Sequence, residues 1–449
     1  MKTFAAINVG SYEQTLKIYT ITKNNGIREV DWIRNRLDLG GTFATGKLSH
    51  EVMDELCAVL RNFVSIMEGY RVDDYRACAT SAIRETKNTA IVLDQIMQRT
   101  GVKLDVLSNS EQRFLDYKSI ASRGGFGKKS SKKEHLFWIS AAAAFRCHCL
   151  IRISFPRRRT CALAFLRLQE KMSRLNVRPS ENGPLLEELL EAQLSVFRKM
   201  YLKDRVIENI IVVDDYISAL ILGKLGKVAG SGYLDRDSMA SYMNYLHDHT
   251  DMEIVRYFDT PEENVPLLRI SSAIVRQVAL MTDAKMIWAP GVSLCDGMVY
   301  EYAEEYKLLA QVHDFEQDIV TCARGISKRY MGSKRRAETL EQIALTIFDS
   351  MKRVHGMGRR ERLLLRIATL LHDCGKYISM VNLGECSYAI IMATEIIGLS
   401  HREREIVANI VRYNHLEFDY SMENSEGIDR EEYLNDRQAD CDFADRERA

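Results

Sequence analysis

The sequence has no excess of charge of either sign, and this limits the partners that we expect. Lysine and arginine together number 62, as do aspartate and glutamate, so the formal net charge is +0 at pH 7. Proteins that bind nucleic acid or an acidic membrane surface through long-range electrostatics usually carry a basic excess. We therefore expect neither nucleic acid nor a membrane as a partner.

Long apolar runs and regularly spaced cysteines are also missing. We find no N-terminal segment of signal-peptide form and no apolar run long enough to span a bilayer. The 10 cysteines follow no regular spacing, which without an export signal predicts reduced thiols. We expect a cytoplasmic α/β protein whose 449 residues form about two to four domains.

The N-terminal stretch predicts a hairpin whose turn can bind phosphate. An apolar run, Phe4–Val9, meets Gly10 and Ser11, and the alternating run Thr15–Ile21 follows. Glycine lets the backbone approach a ligand closely, and a hydroxyl beside free N–H groups can cradle a phosphate. An ordinary hairpin turn is the alternative interpretation.

Hydroxyl groups and an arginine follow the next predicted strand. Tyr75–Ala79 is predicted to be a short buried strand, and Thr80, Ser81 and Arg84 come directly after it. Such groups at a strand end are typical of an anion site, because arginine binds phosphate through two parallel hydrogen bonds. A polar loop with a helix cap is the alternative.

A third polar segment follows the predicted strand Lys103–Leu107. Here Ser108 precedes Glu111, which lies in the first turn of a predicted helix. A carboxylate beside a phosphate site can orient an attacking water molecule. Alternatively, Glu111 only complements the positive end of the helix dipole.

The three segments, in this order and spacing, resemble the exopolyphosphatase/guanosine pentaphosphate phosphatase family over residues 1–122. The string Ala-Thr-Ser-Ala-x-Arg at Ala79–Arg84 is a specific match, and Gly-Val-Ser-Leu-x-Asp-Gly at Gly291–Gly297 is a second. The family belongs to the actin-like, sugar-kinase-like (ribonuclease H-like) fold. The resemblance therefore implies a two-lobed α/β phosphatase core that ends near residue 305.

The resemblance also implies an activity, a metal and roles for particular residues. The activity is Mg²⁺-assisted hydrolysis of a terminal phosphate from inorganic polyphosphate or guanosine pentaphosphate, with Glu111 positioning the water. The family usually has Asp where this chain has Asn8, a weaker metal ligand. The implied phosphate-binding residues are Gly10, Ser11, Tyr12, Thr80, Ser81 and Arg84.

The segment that should carry the family's second phosphate turn has a different composition. From about Lys128 to Phe165 the periodicity is lost and Arg, Cys and Ala dominate. Because Trp has one codon and every Ile codon begins with AT, Trp138–Ile139 read one base back contains an Asp codon. With suitable synonymous codons, that frame encodes an Asp-Ile-Ser-Gly-Gly-Ser turn between two strands and rejoins the chain at Leu166. We interpret residues 128–165 as out of frame and expect impaired activity; a basic insertion is the alternative.

The C-terminal part is predicted to be all-helical and HD-like. His372 and Asp373 match the His-Asp signature of HD domains, whose hydrolytic members hold a divalent metal there. Further ligand histidines, expected near Arg336 and Cys386, are missing, so we favour a structural or binding-only module. The predicted helices are 314–330, 336–354, 359–374, 385–397 and 400–416.

The tail from residue 435 is polar throughout, and with suitable synonymous codons it encodes an amphipathic helix when read one base forward. We interpret it as a second out-of-frame segment; a disordered tail is the alternative. The predicted domains are lobe I (1–122), lobe II (123–305), the helical HD-like domain (314–434) and the tail (435–449).

Two other functions compete with the phosphohydrolase hypothesis. Asn8, the missing HD ligands and Asp214–Asp215, where the family commonly has Gly-Gly-Thr, suit a non-catalytic regulator that binds polyphosphate or nucleotide. The Asp pair could bind a cation, although we favour a solvated loop. The second competitor is hydrolysis by the HD-like module. Family habit also suggests a homodimer.

Overall fold

The computed structural model describes residues 1–24, 26–39, 46–123, 134–141, 144–151, 182–199, 207–222, 232–282, 284–309 and 313–414. Within these ranges, the residues up to His313 form one compact unit and those from Asp314 form a second. Much of the proposed out-of-frame segment and the whole of the tail 435–449 lie outside the described residues.

The first sheet carries the predicted hairpin. Its spatial order is β3-β2-β1-β4-β5, with β1 antiparallel to β2 and parallel to β4. Strand β3 is an edge strand that the sequence analysis did not identify. The strands are β1 (Lys2–Val9), β2 (Glu13–Thr22), β3 (Gly26–Arg36), β4 (Asp74–Ala79) and β5 (Leu104–Val106).

Parallel pairing brings two polar segments to one edge of this sheet. Val9, the last residue of β1, lies opposite Ala79, the last residue of β4. The backbone N–H of Thr80 then donates to the Val9 carbonyl at 3.1 Å. The segments that begin with Gly10 and Thr80 therefore leave the sheet side by side.

Strand β1 alternates between two cores, as a period of two residues requires. Ala5, Ile7 and Val9 pack in one apolar cluster, while Phe4 and Ala6 pack in another. Four helices of the described residues follow the hairpin, and the first begins after Ser49, whose side chain accepts from the Val52 N–H. They are α1 (His50–Gly69), α2 (Ser81–Arg84), α3 (Thr89–Thr100) and α4 (Asn109–Ser122).

The second sheet has the order β7-β6-β8-β10-β9, in which β6 and β7 form a hairpin and β6 runs parallel to β8. Its strands are β6 (Glu134–Ala141), β7 (Ala144–Ile151), β8 (Asn209–Val213), β9 (Tyr233–Asp235) and β10 (Met286–Trp288). The helices of this part are α5 (Asn182–Phe197), α6 (Asp215–Leu222), α7 (Arg236–Asp248), α8 (Asp251–Phe258), α9 (Val265–Thr282) and α10 (Leu294–Glu305).

Helix α9 modifies one expectation from the sequence. The segment Glu262–Thr282 is long and apolar enough to cross a membrane, with a mean hydropathy of 1.2, although no such run was expected. However, 61% of this stretch is buried inside the fold, where Leu268, Ile274 and Val278 join the core around the second sheet. Its apolar character is therefore accounted for by packing.

Helices α4 and α10 cross at very short range. A Cβ atom placed on Gly297 would lie 2.1 Å from the Leu115 carbonyl oxygen, so only glycine fits this crossing. Close by, Glu301 accepts from Lys118 at 2.7 Å and pairs with Arg76 of β4. One carboxylate thus ties both helices to the first sheet.

The second unit is helical, and its helices lie close to the predicted positions. The predicted helix 359–374 ends at Leu371 and is followed by a 3₁₀ turn, Cys374–Tyr377. The helices are α11 (Phe315–Arg329), α12 (Lys334–Ser350), α13 (Lys352–His355), α14 (Arg359–Leu371), α15 (Leu383–Ala393) and α16 (His401–Tyr413).

We predict that Glu301→Gln destabilises the protein by about 2 kcal/mol at neutral pH, because it removes the carboxylate that lies 2.7 Å from Lys118, whose side chain is 7% exposed, and Glu304 lies farther away, at 3.7 Å. Burial alone would raise the pKa of Glu301, but Lys118 and Arg76 lower it from 4.5 to about 2. Since the folded-state pKa is the lower one, the stabilisation is present above pH 4.5 and is lost as the pH falls towards 2.

Urea denaturation at several pH values measures this difference. Asp54→Asn is the matched control, because its salt bridge with Arg99 is exposed and should contribute little to stability. Equal stability losses in the two variants would contradict the prediction.

Candidate functional site

The turn after β1 is closed by a very tight backbone contact. The N–H of Gly10 donates to the Glu13 carbonyl at 3.0 Å. A Cβ atom on Gly10 would lie 2.6 Å from that carbonyl oxygen, closer than van der Waals contact allows. Glycine is therefore required here for close approach rather than for an unusual φ angle.

Neighbouring groups fix the orientation of the turn Gly10–Tyr12. All three of its carbonyl oxygens accept hydrogen bonds, from the Gln14 side chain and from the backbone N–H groups of Leu39 and Leu37. In the described part of the chain, the N–H groups of Ser11 and Tyr12 donate to no backbone carbonyl. They are the groups of this turn that can donate to a ligand.

The segment after β4 adds hydroxyl groups to the turn. The Oγ atoms of Ser11 and Ser81 are 3.0 Å apart, and both residues are buried. Thr80 does not cap helix α2 with its side chain; its hydroxyl instead lies 3.4 Å from the Val9 carbonyl, to which it donates. The structure thus brings together Ser11, Thr80 and Ser81, three of the residues that the sequence analysis selected.

A cavity of about 130 Å³, open to solvent, lies in front of these segments. One wall comes from the first sheet and from helix α4, which contributes Gln112 and Asp116. The other comes from the second sheet and from the segment before α10. The first wall includes Asn8, Gly10, Ser11, Tyr12, Glu13, Arg34, Thr80 and Ser81, and the second includes Val213, Asp214, Tyr216, Ser271 and Ser293.

Asp214 is part of this second wall. The sequence analysis favoured a solvated loop here, and for Asp214 the structure shows a buried position instead. It is 3% exposed, and its Oδ1 accepts from the Ile217 N–H at 2.8 Å at the start of α6. Its Oδ2 accepts from the Ser271 hydroxyl at 3.0 Å. An Asp that caps a helix can be buried because its carboxyl oxygens accept hydrogen bonds from backbone N–H and hydroxyl groups.

Two predicted site residues have their side chains outside the cavity wall. Arg84 donates to the Leu107 carbonyl at 2.7 Å and to Asn109 Oδ1 at 2.8 Å, so its guanidinium contacts the segment that leads into α4. The Glu111 carboxylate accepts from the Ser108 N–H at 2.8 Å in a capping box. The position of Glu111 in the structure therefore agrees with the alternative interpretation, in which it only complements the start of helix α4.

Gln112 and Asp116 line the cavity, although the sequence analysis did not select them. They are four residues apart on α4 and share one helix face, whereas Glu111 lies on an adjacent face. Asp116 is 4% exposed. The i, i+4 spacing could have pointed to this pair, but only once the face that meets the cavity was known.

Asn8 is the residue of the cavity that best fits a metal ion. Its Oδ1 is buried and accepts no hydrogen bond within the described ranges. Mg²⁺ prefers oxygen ligands and keeps several waters, so a free carboxamide oxygen near carboxylates is compatible with it. No three His, Cys, Asp or Glu side chains of the described chain are grouped closely enough to hold a metal by themselves.

His372 and Asp373 have structural partners in the second unit. Asp373 accepts from Lys376 at 2.6 Å and from the Ser333 N–H at 3.0 Å. Burial alone would raise the pKa of Asp373, but these donors hold it below its ordinary value. His372 Nδ1 lies 2.9 Å from the Thr369 carbonyl. These contacts suit the structural or binding-only role that the sequence analysis favoured for this module.

We predict that Gly10→Ala opens the turn and abolishes the binding of orthophosphate, because the added methyl group meets the Glu13 carbonyl. Isothermal titration calorimetry measures the binding. Gly69→Ala is the matched control, since nothing lies within 4 Å of its new Cβ. If Gly10→Ala folds and binds orthophosphate like the unmodified chain, the turn is not the phosphate site.

Comparison with known families gives two matches along this chain. Residues 27–125 match the model of the Ppx/GppA phosphatase family, and residues 321–435 match that of Ppx/GppA phosphatase, domain III. Exopolyphosphatase 1 of Mycobacterium leprae (strain TN) is 33% identical over 86 residues, which are 19% of this chain and 25% of that protein. The chain thus matches about a quarter of the length of this relative.

Solved structures share the fold. A Ppx/GppA family member from Aquifex aeolicus is 16% identical with a TM-score of 0.56, covering 70% of this chain and 99% of its own. An exopolyphosphatase from Cytophaga hutchinsonii is 15% identical with a TM-score of 0.58, covering 69% of this chain and 100% of its own. The predicted fold class, an actin-like α/β core followed by helices, is confirmed. Two separate parts of the chain, residues 27–125 and 321–435, thus match models of the Ppx/GppA phosphatase family, and solved structures of that family share the fold of this chain.

Proposed function

We propose that the chain is a phosphohydrolase that releases the terminal phosphate of inorganic polyphosphate, with guanosine pentaphosphate as the alternative substrate. The observation that carries the proposal is the meeting of the turn Gly10–Tyr12 with Thr80 and Ser81 at the edge of one sheet and the wall of one cavity. The names of the similar proteins, which are exopolyphosphatases, support the same reaction class.

The turn would bind the terminal phosphate through its N–H groups. Its three carbonyl oxygens already accept hydrogen bonds within the protein. The N–H groups of Ser11 and Tyr12 are left to donate to the ligand. The hydroxyls of Ser11 and Ser81 bond to each other at 3.0 Å, which uses one of the two O–H groups, so the pair would add one further donor. Donors held in advance stabilise the charge that develops on a transferring phosphoryl group, because they need no reorganisation during the reaction.

Two carboxylates on α4 could orient the attacking water. Asp116 lines the cavity, whereas Glu111, which the family resemblance implies, would have to leave its hydrogen bond with the Ser108 N–H. Catalytic hydrogen bonds often form only when substrate is bound, so the present position of Glu111 does not eliminate it. We retain Glu111 as the water-positioning residue and treat Asp116 as its competitor.

Mg²⁺ is the proposed cofactor. Asn8 would contribute its buried Oδ1, and the remaining ligands would be waters and phosphate oxygens. When bound, Mg²⁺ would neutralise charge on the phosphate chain. A cytoplasmic location and a homodimeric state complete the proposal.

We also propose that residues 128–165 are out of frame and that the chain as written is impaired. The first family match ends at residue 125 and the second at residue 435, next to the two proposed shifts at about 128 and 435. The hairpin β6–β7 pairs with β8 where a second phosphate turn is expected from the resemblance, but Ala141 and Ala144 flank its turn. Alanines there supply no acidic or hydroxyl side chain.

We predict that the frame-restored protein releases phosphate from linear polyphosphate with Mg²⁺ about 100-fold faster than the chain as written, because the second set of donors is regained. A colorimetric phosphate assay measures the rate. Binding of polyphosphate without turnover in the restored protein would instead support the non-catalytic regulator, which Asn8 in place of Asp also favours.

In the restored protein, we predict that Glu111→Gln lowers the phosphate-release rate about 100-fold or more, because a carboxamide is a poor base for water. Glu253→Gln is the matched control, since Glu253 also closes a capping box but lies away from the cavity. Loss of activity in Asp116→Asn alone would assign the water to Asp116. An equal loss of the phosphate-release rate in Glu111→Gln and Glu253→Gln would show that the loss comes from weakened helix capping and not from the position of the water.

A further inference from the structure

We propose that Gln14 is a positioning residue that fixes the direction of one phosphate-binding N–H group, that of Ser11. This inference rests on the proposed function and deepens it. The Nε2 atom of Gln14 donates to the Gly10 carbonyl at 3.2 Å and to the Leu37 carbonyl at 3.2 Å. Because Gly10 and Ser11 share one peptide bond, a group that holds the carbonyl of this peptide also determines where its N–H points.

Gln14 lies on the face of β2 that is turned away from the cavity. Its neighbours Glu13 and Thr15 line the cavity, and successive side chains of a strand point to opposite faces of the sheet. Gln14 is 0% exposed, and Leu16 and Ile18, which share its face by the same alternation, pack in an apolar cluster. The strand pattern therefore predicts an apolar side chain at this position, and an amide group stands there instead.

The surroundings of Gln14 show which atom of its amide group matters. Both neighbouring acceptors are carbonyl oxygens, which need a donor, so the amide nitrogen must face them. The amide oxygen is buried and accepts no hydrogen bond in the part of the chain that the structure describes. A buried acceptor without a partner lowers stability. The contribution of this side chain therefore lies in the two hydrogen bonds that it donates.

The geometry of the peptide bond turns these contacts into a direction for the N–H group. A planar trans peptide places its C=O and its N–H on opposite sides. The Gly10 carbonyl points to Gln14, which does not line the described cavity wall, so the Ser11 N–H points the opposite way. The next carbonyl, that of Ser11, accepts from the Leu39 backbone N–H at 2.8 Å, and this bond fixes the Tyr12 N–H in the same manner.

The test is Gln14→Met in the chain as it stands. Methionine is of similar length and suits an apolar face, but it cannot donate a hydrogen bond. The Gly10 carbonyl then loses its fixed partner, and the Ser11 N–H loses its fixed direction. We expect isothermal titration calorimetry to show orthophosphate binding about tenfold weaker than in the unmodified chain, because one hydrogen bond to a charged group is lost.

A second readout separates positioning from a general loss of structure. In amide-resolved NMR spectra, we expect orthophosphate to shift the Ser11 and Tyr12 amide signals of the unmodified chain. In Gln14→Met the Ser11 shift should shrink while the Tyr12 shift persists, because the bond from Leu39 to the Ser11 carbonyl is unchanged. Gln14→Leu, a second apolar variant of different shape, should show the same pattern, since it lacks the same donor.

Asn88→Leu is the matched control. The Asn88 amide also donates to a backbone carbonyl, that of Leu48 at 3.3 Å, but it does not line the cavity. This variant should have a lower melting temperature and an unchanged orthophosphate affinity.

Three results would overturn the inference while the proposed function stands. They are an unchanged affinity in Gln14→Met and Gln14→Leu, an affinity loss of the same size in Asn88→Leu, and an equal loss of the Ser11 and Tyr12 shifts. Failure of both Gln14 variants to fold would assign Gln14 a structural role and would also overturn it. Absence of orthophosphate binding to the unmodified chain would overturn the proposed function together with the inference.

Discussion

The candidate site depends on one backbone contact, the hydrogen bond from the Gly10 N–H to the Glu13 carbonyl. It closes the turn between β1 and β2 so tightly that a side chain on Gly10 has no room. The parallel register of β1 and β4 then sets Thr80 beside this turn. If either condition failed, the hydroxyls of Ser11 and Ser81 would not meet, and the cavity would have no ordered set of donors for an anion.

A second constraint holds the sheet that presents this turn. Helices α4 and α10 cross at Gly297, and Glu301 joins both to β4 through Lys118 and Arg76. Helix α4 also carries Asp116 into the cavity, so the position of this side chain depends on the same crossing. Packing away from the site therefore determines which face of α4 the ligand meets.

The sequence predicted those parts of the site that depend on local patterns. The hairpin and the polar residues at the ends of β1 and β4 follow from alternation and chain direction, which can be recognised without knowing which other element packs there. Strand β3 was missed because an exposed edge strand alternates only weakly, and the burial of Asp214 was missed because Ser271, its partner, is 57 residues away. Arg84 and Glu111 were chosen for their chemistry, but nearby backbone groups bind them, and sequence alone does not rank such competing partners.

The central claim is that phosphate binds at the turn Gly10–Tyr12 and the adjoining Thr80–Ser81 segment. Hydrogen exchange followed by mass spectrometry, with and without tripolyphosphate and Mg²⁺, tests it most directly. We expect slower exchange of the Ser11 and Tyr12 amides on ligand addition and no change in helix α14 of the second unit. Protection confined to the segment around His372, with none at the turn, would contradict the claim.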